Sequence, residues 1–65
     1  MQPMTPADFR AIRLRLGMTG AQFAAALGMS QRYGKQVISM IETGRRAIRN
    51  ELAAHVLLLE REHNR

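Results

Sequence analysis

The sequence predicts an all-α fold, a compact bundle of about four helices. Three observations carry that reading. Apolar residues recur at helical spacing, as in Phe9, Ile12 and Leu16. Gly17, Gly28 and Gly44 each follow such an apolar run, where a helix ends most readily. No stretch alternates apolar and polar residues as a half-buried strand does.

Residues 1–4 read as a loose tail. Thr5 opens the first helix, with a threonine at the N-cap, Pro6 at the first helical position and Asp8 in the first turn, near the positive helix end. Arg10, Arg13 and Arg15 are interleaved with its apolar residues, and Gly17 closes it. Thr19-Gly20-Ala21-Gln22 has the form of a capping box and starts a second, short helix that Gly28 ends. Phe23, Ala24 and Leu27 give this helix its apolar face, and the small residues Ala24, Ala25 and Ala26 let another helix come close. Ser30 has the chemistry of an N-cap for the third helix, whose stripe is Val37, Ile38 and Ile41 and whose end is Gly44.

Arg45 to Arg49 form a basic connector, and Asn50 is expected to cap a last helix that begins at Glu51 and fills the 50–64 segment. Leu52, Val56 and Leu59 share one stripe of it, while Leu57 and Leu58 point elsewhere. A helix that is apolar on more than one side needs more than one neighbour. The second neighbour is expected to be another copy of the chain, met through Leu57 and Leu58. The expected core is Phe9, Ile12, Leu16, Phe23, Leu27, Ile38, Ile41, Leu52 and Val56.

The 65 residues are read as one domain, 1–65. A single core of this size stabilises a fold only marginally, so a partner subunit is the expected supplement. Cysteine is absent, which excludes disulfides and thiolate metal sites and fits a cytoplasmic protein. His55 and His63 stand alone, so neither a metal nor any other cofactor is expected, nor a small-molecule ligand. No apolar run approaches the ~20 residues that span a bilayer, and no basic-then-apolar leader is visible, so no membrane partner is expected. No carboxylate pair, nucleophile–base set or phosphate-cradling glycine loop can be assembled, so the chain does not read as an enzyme.

Ten Lys+Arg face five Asp+Glu, for a formal charge of +5, and all but one of the basic residues are arginine. That balance favours a polyanionic partner, and arginine suits phosphate and guanine better than lysine does. Phe9 and Phe23 are expected in the core, which leaves only Tyr33 for stacking and argues against an RNA module built on exposed aromatics.

Two short helices joined by a turn, with arginines past the second, outline a helix-turn-helix DNA reader. Leu16-Gly17-Met18-Thr19, Phe23-Ala24, Leu27-Gly28-Met29-Ser30 and Ile38-Ser39-Met40-Ile41-Glu42-Thr43-Gly44-Arg45-Arg46 together resemble, in order, the Cro/CI-type (XRE-like) helix-turn-helix family of phage repressors. The resemblance covers about residues 9 to 48 and implies a lambda-repressor-like bundle. The chain departs from the family pattern at three places. Gly20 stands where the family usually has a phosphate-touching Gln, and Ile41 replaces the usual Trp or Leu. The segment between Ser30 and Ile38 is longer by about four residues, roughly one helical turn. Gly34 lies within it and costs ~1 kcal/mol relative to alanine inside a helix. A longer turn over Ser30 to Gly34 is therefore expected, with the helix proper starting near Lys35.

The resemblance implies a sequence-specific regulator that binds double-stranded DNA. Lys35, Gln36, Ser39 and Met40 take base-contacting positions of the family. A glutamine can pair with the adenine N6/N7 edge, a lysine can donate to guanine O6/N7, and Met40 can touch a thymine methyl. In the longer segment, Arg32 is a further candidate for a base and Tyr33 for the DNA backbone. Thr43, Arg45, Arg46 and Arg49, around the end of the third helix, are expected at phosphates, as is Thr19 at the start of the second. Arg13 and Glu42 match positions that form a partly buried ion pair in the family. A carboxylate in so basic a region opposes DNA unless an internal cation neutralises it.

The expected form is a homodimer that reads an inverted-repeat operator, as a repressor or autorepressor of a phage or mobile-element operon. At this size a ligand-sensing second domain is not expected. Two other classes remain open at this point: an antitoxin-like protein-interaction module that uses the last helix, and a non-specific nucleic-acid binder.

Overall fold

The computed structural model describes residues 4–64. They form four helices and, among the described residues, no strand: α1 (Pro6–Arg15), α2 (Gly20–Ala26), α3 (Gly34–Glu42) and α4 (Asn50–His63). The tail expected at residues 1–4 lies outside the described residues except for Met4. Met4 is not loose, since it packs partly buried against the core.

Side-chain caps start α1 and α2. The Asp8 N–H donates to Thr5 Oγ1 at 3.0 Å, and the Thr5 N–H donates back to Asp8 Oδ2 at 3.2 Å. Thr19 and Gln22 repeat the exchange at 3.1 and 3.0 Å. Each box satisfies two helix-end donors, and losing such a cap typically costs ~1 kcal/mol. The α2 helix has only seven residues, too few to persist alone, so it depends on its cap and on the burial of Phe23 and Ala24.

The core comprises Phe9, Ile12, Leu16, Phe23, Ala24, Leu27, Ile38, Ile41 and Val56. Phe9 and Phe23 meet edge to face, with centroids 5.1 Å apart, which joins α1 to α2. The core differs from expectation at two positions. Leu52, one turn before Val56 on the same stripe, is only partly buried at the start of α4. Ala24 is fully enclosed because α3 closes over it at Gly34.

The added residues between α2 and α3 go into the turn. The Gly34 N–H donates to the Ser30 carbonyl at 2.7 Å, and Gln31, Arg32 and Tyr33 make the turn itself. Thus α3 starts at Gly34, one residue before Lys35. Ser30 does not cap it: the Ser30 hydroxyl accepts the Arg32 N–H at 3.2 Å and stiffens the turn. Tyr33 occupies the N-cap and makes no side-chain cap.

Asn50 is likewise not a cap. Arg49 is the extended residue before α4, so the helical turn already includes Asn50, and Arg49 carries no acceptor to cap it. At the other end of α3 the chain reverses at Gly44, whose φ of +79° lies in the region that favours glycine. The Arg45 and Arg46 N–H groups then fold back onto the Met40 carbonyl at 2.8 and 3.2 Å.

An apolar groove of 820 Å³ runs between α1 and α4, lined in part by Met4, Ala11, Ala53, Ala54 and Leu57. Leu14, Leu57 and Leu58 are large apolar residues left at least half exposed. Arg15 joins the two helices across this side, its Nε donating to Glu60 Oε2 at 2.9 Å.

Candidate nucleic-acid interface

One arginine ties α3 to the elements around it, in addition to the core packing of Ile38 and Ile41. Arg13 Nε donates to Glu42 Oε2 at 2.7 Å, and another of its guanidinium nitrogens donates to Glu42 Oε1 at 3.0 Å. The third nitrogen donates to the Met18 carbonyl at 3.0 Å. One planar guanidinium therefore ties α1, the loop before α2 and the last turn of α3 together. The two side chains are only 15% and 12% exposed, so solvent screens the pair weakly. The hydrogen bond that Arg13 donates to Glu42 raises the Arg13 pKa above its ordinary value; burial opposes this, and the charge of Glu42 reinforces it. The guanidinium is charged at any pH the fold meets.

With α3 fixed in this way, Gly34, Ile38 and Ile41 face inward and are buried. Gln36, Ser39 and Thr43 stand exposed on the opposite side, with Met40 half-buried beside them. Lys35 is exposed on the flank that looks towards Arg10 of α1. Arg32 and Tyr33 precede this face. The guanidinium carbon of Arg32 lies 5.5 Å from the Tyr33 ring centroid, and Tyr33 is 56% exposed. Arg45, Arg46 and Arg49 follow the face and are all exposed.

The structure therefore places the residues expected at bases and phosphates on α3 and the segments that flank it, except Thr19, which caps α2. Two of them are already partly engaged. The Thr43 hydroxyl donates to the Ser39 and Met40 carbonyls at 2.9 and 3.2 Å, and Thr19 Oγ1 accepts within its capping box. Leu57 and Leu58 lie on α4, away from this set.

Charge is partitioned to match. Glu42 and Glu60 are each paired with an arginine. The other acids, Asp8, Glu51 and Glu62, lie in the first turn of α1 and on α4. Arg10, Arg32, Lys35, Arg45, Arg46 and Arg49 have no acidic partner among the described residues and lie outside α4, where Arg61 is likewise without one. The surface around α3 is thus a field of free cations.

Sequence reasoning missed Arg10. Its signal was available: Arg10 precedes Arg13 by three residues, which puts both on the flank of α1 that faces α3. The Arg15–Glu60 pair had no such signal.

A helix-turn-helix family model matches residues 9–54, most of the chain. The chain belongs to the Cro/CI-type helix-turn-helix family. Its four-helix bundle is of the lambda-repressor-like class, and the chain is a DNA-binding helix-turn-helix regulator. No curated protein and no solved structure matches it. No described helix of this regulator is long and apolar enough to cross a membrane. No group of metal-binding side chains occurs among its described residues.

Proposed function

We propose that this regulator binds an inverted-repeat operator as a homodimer and represses transcription from it, as a phage or mobile-element repressor or autorepressor acting in the cytoplasm. The observation that carries the reading is the exposed polar face of α3, held by Arg13 and ringed by cations without acidic partners among the described residues.

In this reading α3 enters the major groove. Gln36, Ser39 and Met40 meet base edges, with Arg32 and Lys35 at the two margins of the face. Arg45, Arg46, Arg49 and Tyr33 meet phosphates, with Thr19 at the head of α2. Thr43 joins them by exchanging a carbonyl bond within its own helix for one to phosphate.

Leu57 and Leu58 of α4, 53% and 50% exposed, meet the second copy. A twofold pair then sets two reading helices about one DNA turn apart, ~34 Å, or a multiple of it. Occupying a promoter in this way blocks polymerase.

Enrichment of binding sites from a random duplex library at physiological salt tests the function. The expected product is a motif with two inverted halves. A single unrepeated motif would overturn the dimeric reading, and enrichment of no motif would leave only non-specific binding, set by salt.

A further inference from the structure

Each glycine but one has a structural reason. Gly17, Gly28 and Gly44 have positive φ, and Gly34 is pressed against Ala24. Gly20 has neither constraint. A Cβ there would meet only Ile38 Cγ2 at 3.7 Å and Lys35 Cγ at 3.9 Å, which are ordinary contacts. What the missing side chain does is leave space. A hollow of 270 Å³ opens over Gly20, and Arg10, Lys35, Ser39 and Thr43 line it. Arg13 and Glu42 also line it, but they neutralise each other. Arg10 from α1 and Lys35 from α3 therefore face one concave site with no acid to answer them among the described residues.

Two free cations from different helices, converging on a hollow beside the exposed face of α3, have the geometry of an anion seat. We propose that Arg10 and Lys35 clamp a single backbone phosphate of the bound duplex over Gly20. This rests on the DNA-reading role of α3 and deepens it in two ways. It adds Arg10 to the interface, and it moves Lys35 from base reading to register, since a phosphate contact fixes position without selecting sequence.

The test is duplex affinity against salt, read by fluorescence anisotropy on the enriched site, for the wild type and for Arg10→Ala, Lys35→Ala, the double variant and Arg61→Ala. Circular dichroism melts check that each variant is folded. Arg10→Ala is expected to weaken binding several-fold for all sequences and to flatten the salt slope by ~1 per protomer, ~2 for the dimer. Lys35→Ala should do the same. The double variant should flatten the slope by no more than either alone, because one phosphate is shared. Arg61→Ala, on α4, should leave the slope unchanged.

A duplex carrying one neutral methylphosphonate at the clamped position should weaken wild-type binding and leave Arg10→Ala indifferent. An unchanged slope in Arg10→Ala, or altered preference at one base in Lys35→Ala, overturns the clamp while leaving the regulator intact. So would a response of both residues to inorganic phosphate with no methylphosphonate effect, which assigns the hollow to a free anion. Salt-insensitive wild-type binding overturns the DNA-reading role itself, and the clamp with it.

Discussion

Gly34 sits on Ala24 so closely that a Cβ on the glycine would lie 2.6 Å from the alanine Cβ. The first turn of α3 is thereby pressed onto α2, which fixes where the longer turn ends and where the exposed face begins. Gly34→Ala removes the glycine's entropic cost in a helix, yet it forces the two helices apart. Overpacking of this kind costs about 1–3 kcal/mol, which outweighs the ~1 kcal/mol helix-propensity gain over most of that range. A lower melting temperature is expected for Gly34→Ala, with partial recovery when Ala24→Gly is added. A higher melting temperature for the single variant would show that the contact is not tight.

Arg13→Met should be among the most destabilising single changes. It strands Glu42 in a nearly buried site and frees the Met18 carbonyl. Breaking one side of a fully buried pair costs about 3–5 kcal/mol, and this part-buried pair should cost less than that. Replacing both partners, as Arg13→Met with Glu42→Leu, should recover much of the loss, and denaturant titration of the four-member cycle reads this. The Arg13 pKa is raised in the folded state, so the stability it contributes is complete below its unfolded value and is lost only as pH climbs through the folded one. Melting temperature across neutral and mildly alkaline pH should therefore be insensitive to this group.

Gln36 and Arg46 should fail in different ways. Gln36→Ala is expected to relax preference at one position of each half-site, at about 1–3 kcal/mol of discrimination. Arg46→Ala should weaken all sequences about equally and flatten the salt slope by ~1 per protomer, ~2 for the dimer. Competition binding with single-base variants of the enriched site separates the two.

Leu57→Glu and Leu58→Glu place charge on the exposed side of α4. The fold should persist, since neither side chain is buried. Self-association and operator affinity should fall together. Sedimentation equilibrium over a range of concentrations measures the first. A monomeric wild type, or a dimer untouched by both changes, would contradict the interface proposed for α4.

Local chemistry was legible in the sequence. Thr5, Thr19 and the glycines at 17, 28 and 44 announce helix ends through their own backbones, so three-residue spacings were enough to place α1 and α2. Features that join distant segments were harder to read. Arg15 reaches Glu60 across 45 residues, and no local pattern encodes that. Gly34 read as a helix breaker because its propensity is local, whereas its actual role, close contact with Ala24, is tertiary. Asn50 has cap chemistry, yet the backbone at Arg49 starts the helix one residue sooner. For Arg10 the sequence marks only its flank of α1; the packing of α3 and Gly20 is what puts a hollow in front of it.

The polar side of α3 entering the duplex is the claim on which the rest stands. Titrating the isotope-labelled protein with its enriched duplex and following each backbone amide by NMR tests it most directly. The account predicts the largest shifts at Gln36, Ser39 and Met40, with Arg45 and Arg46 next and Leu57 unmoved by direct contact. Shifts concentrated at Ala53, Ala54 and Leu57, with α3 silent, would contradict it.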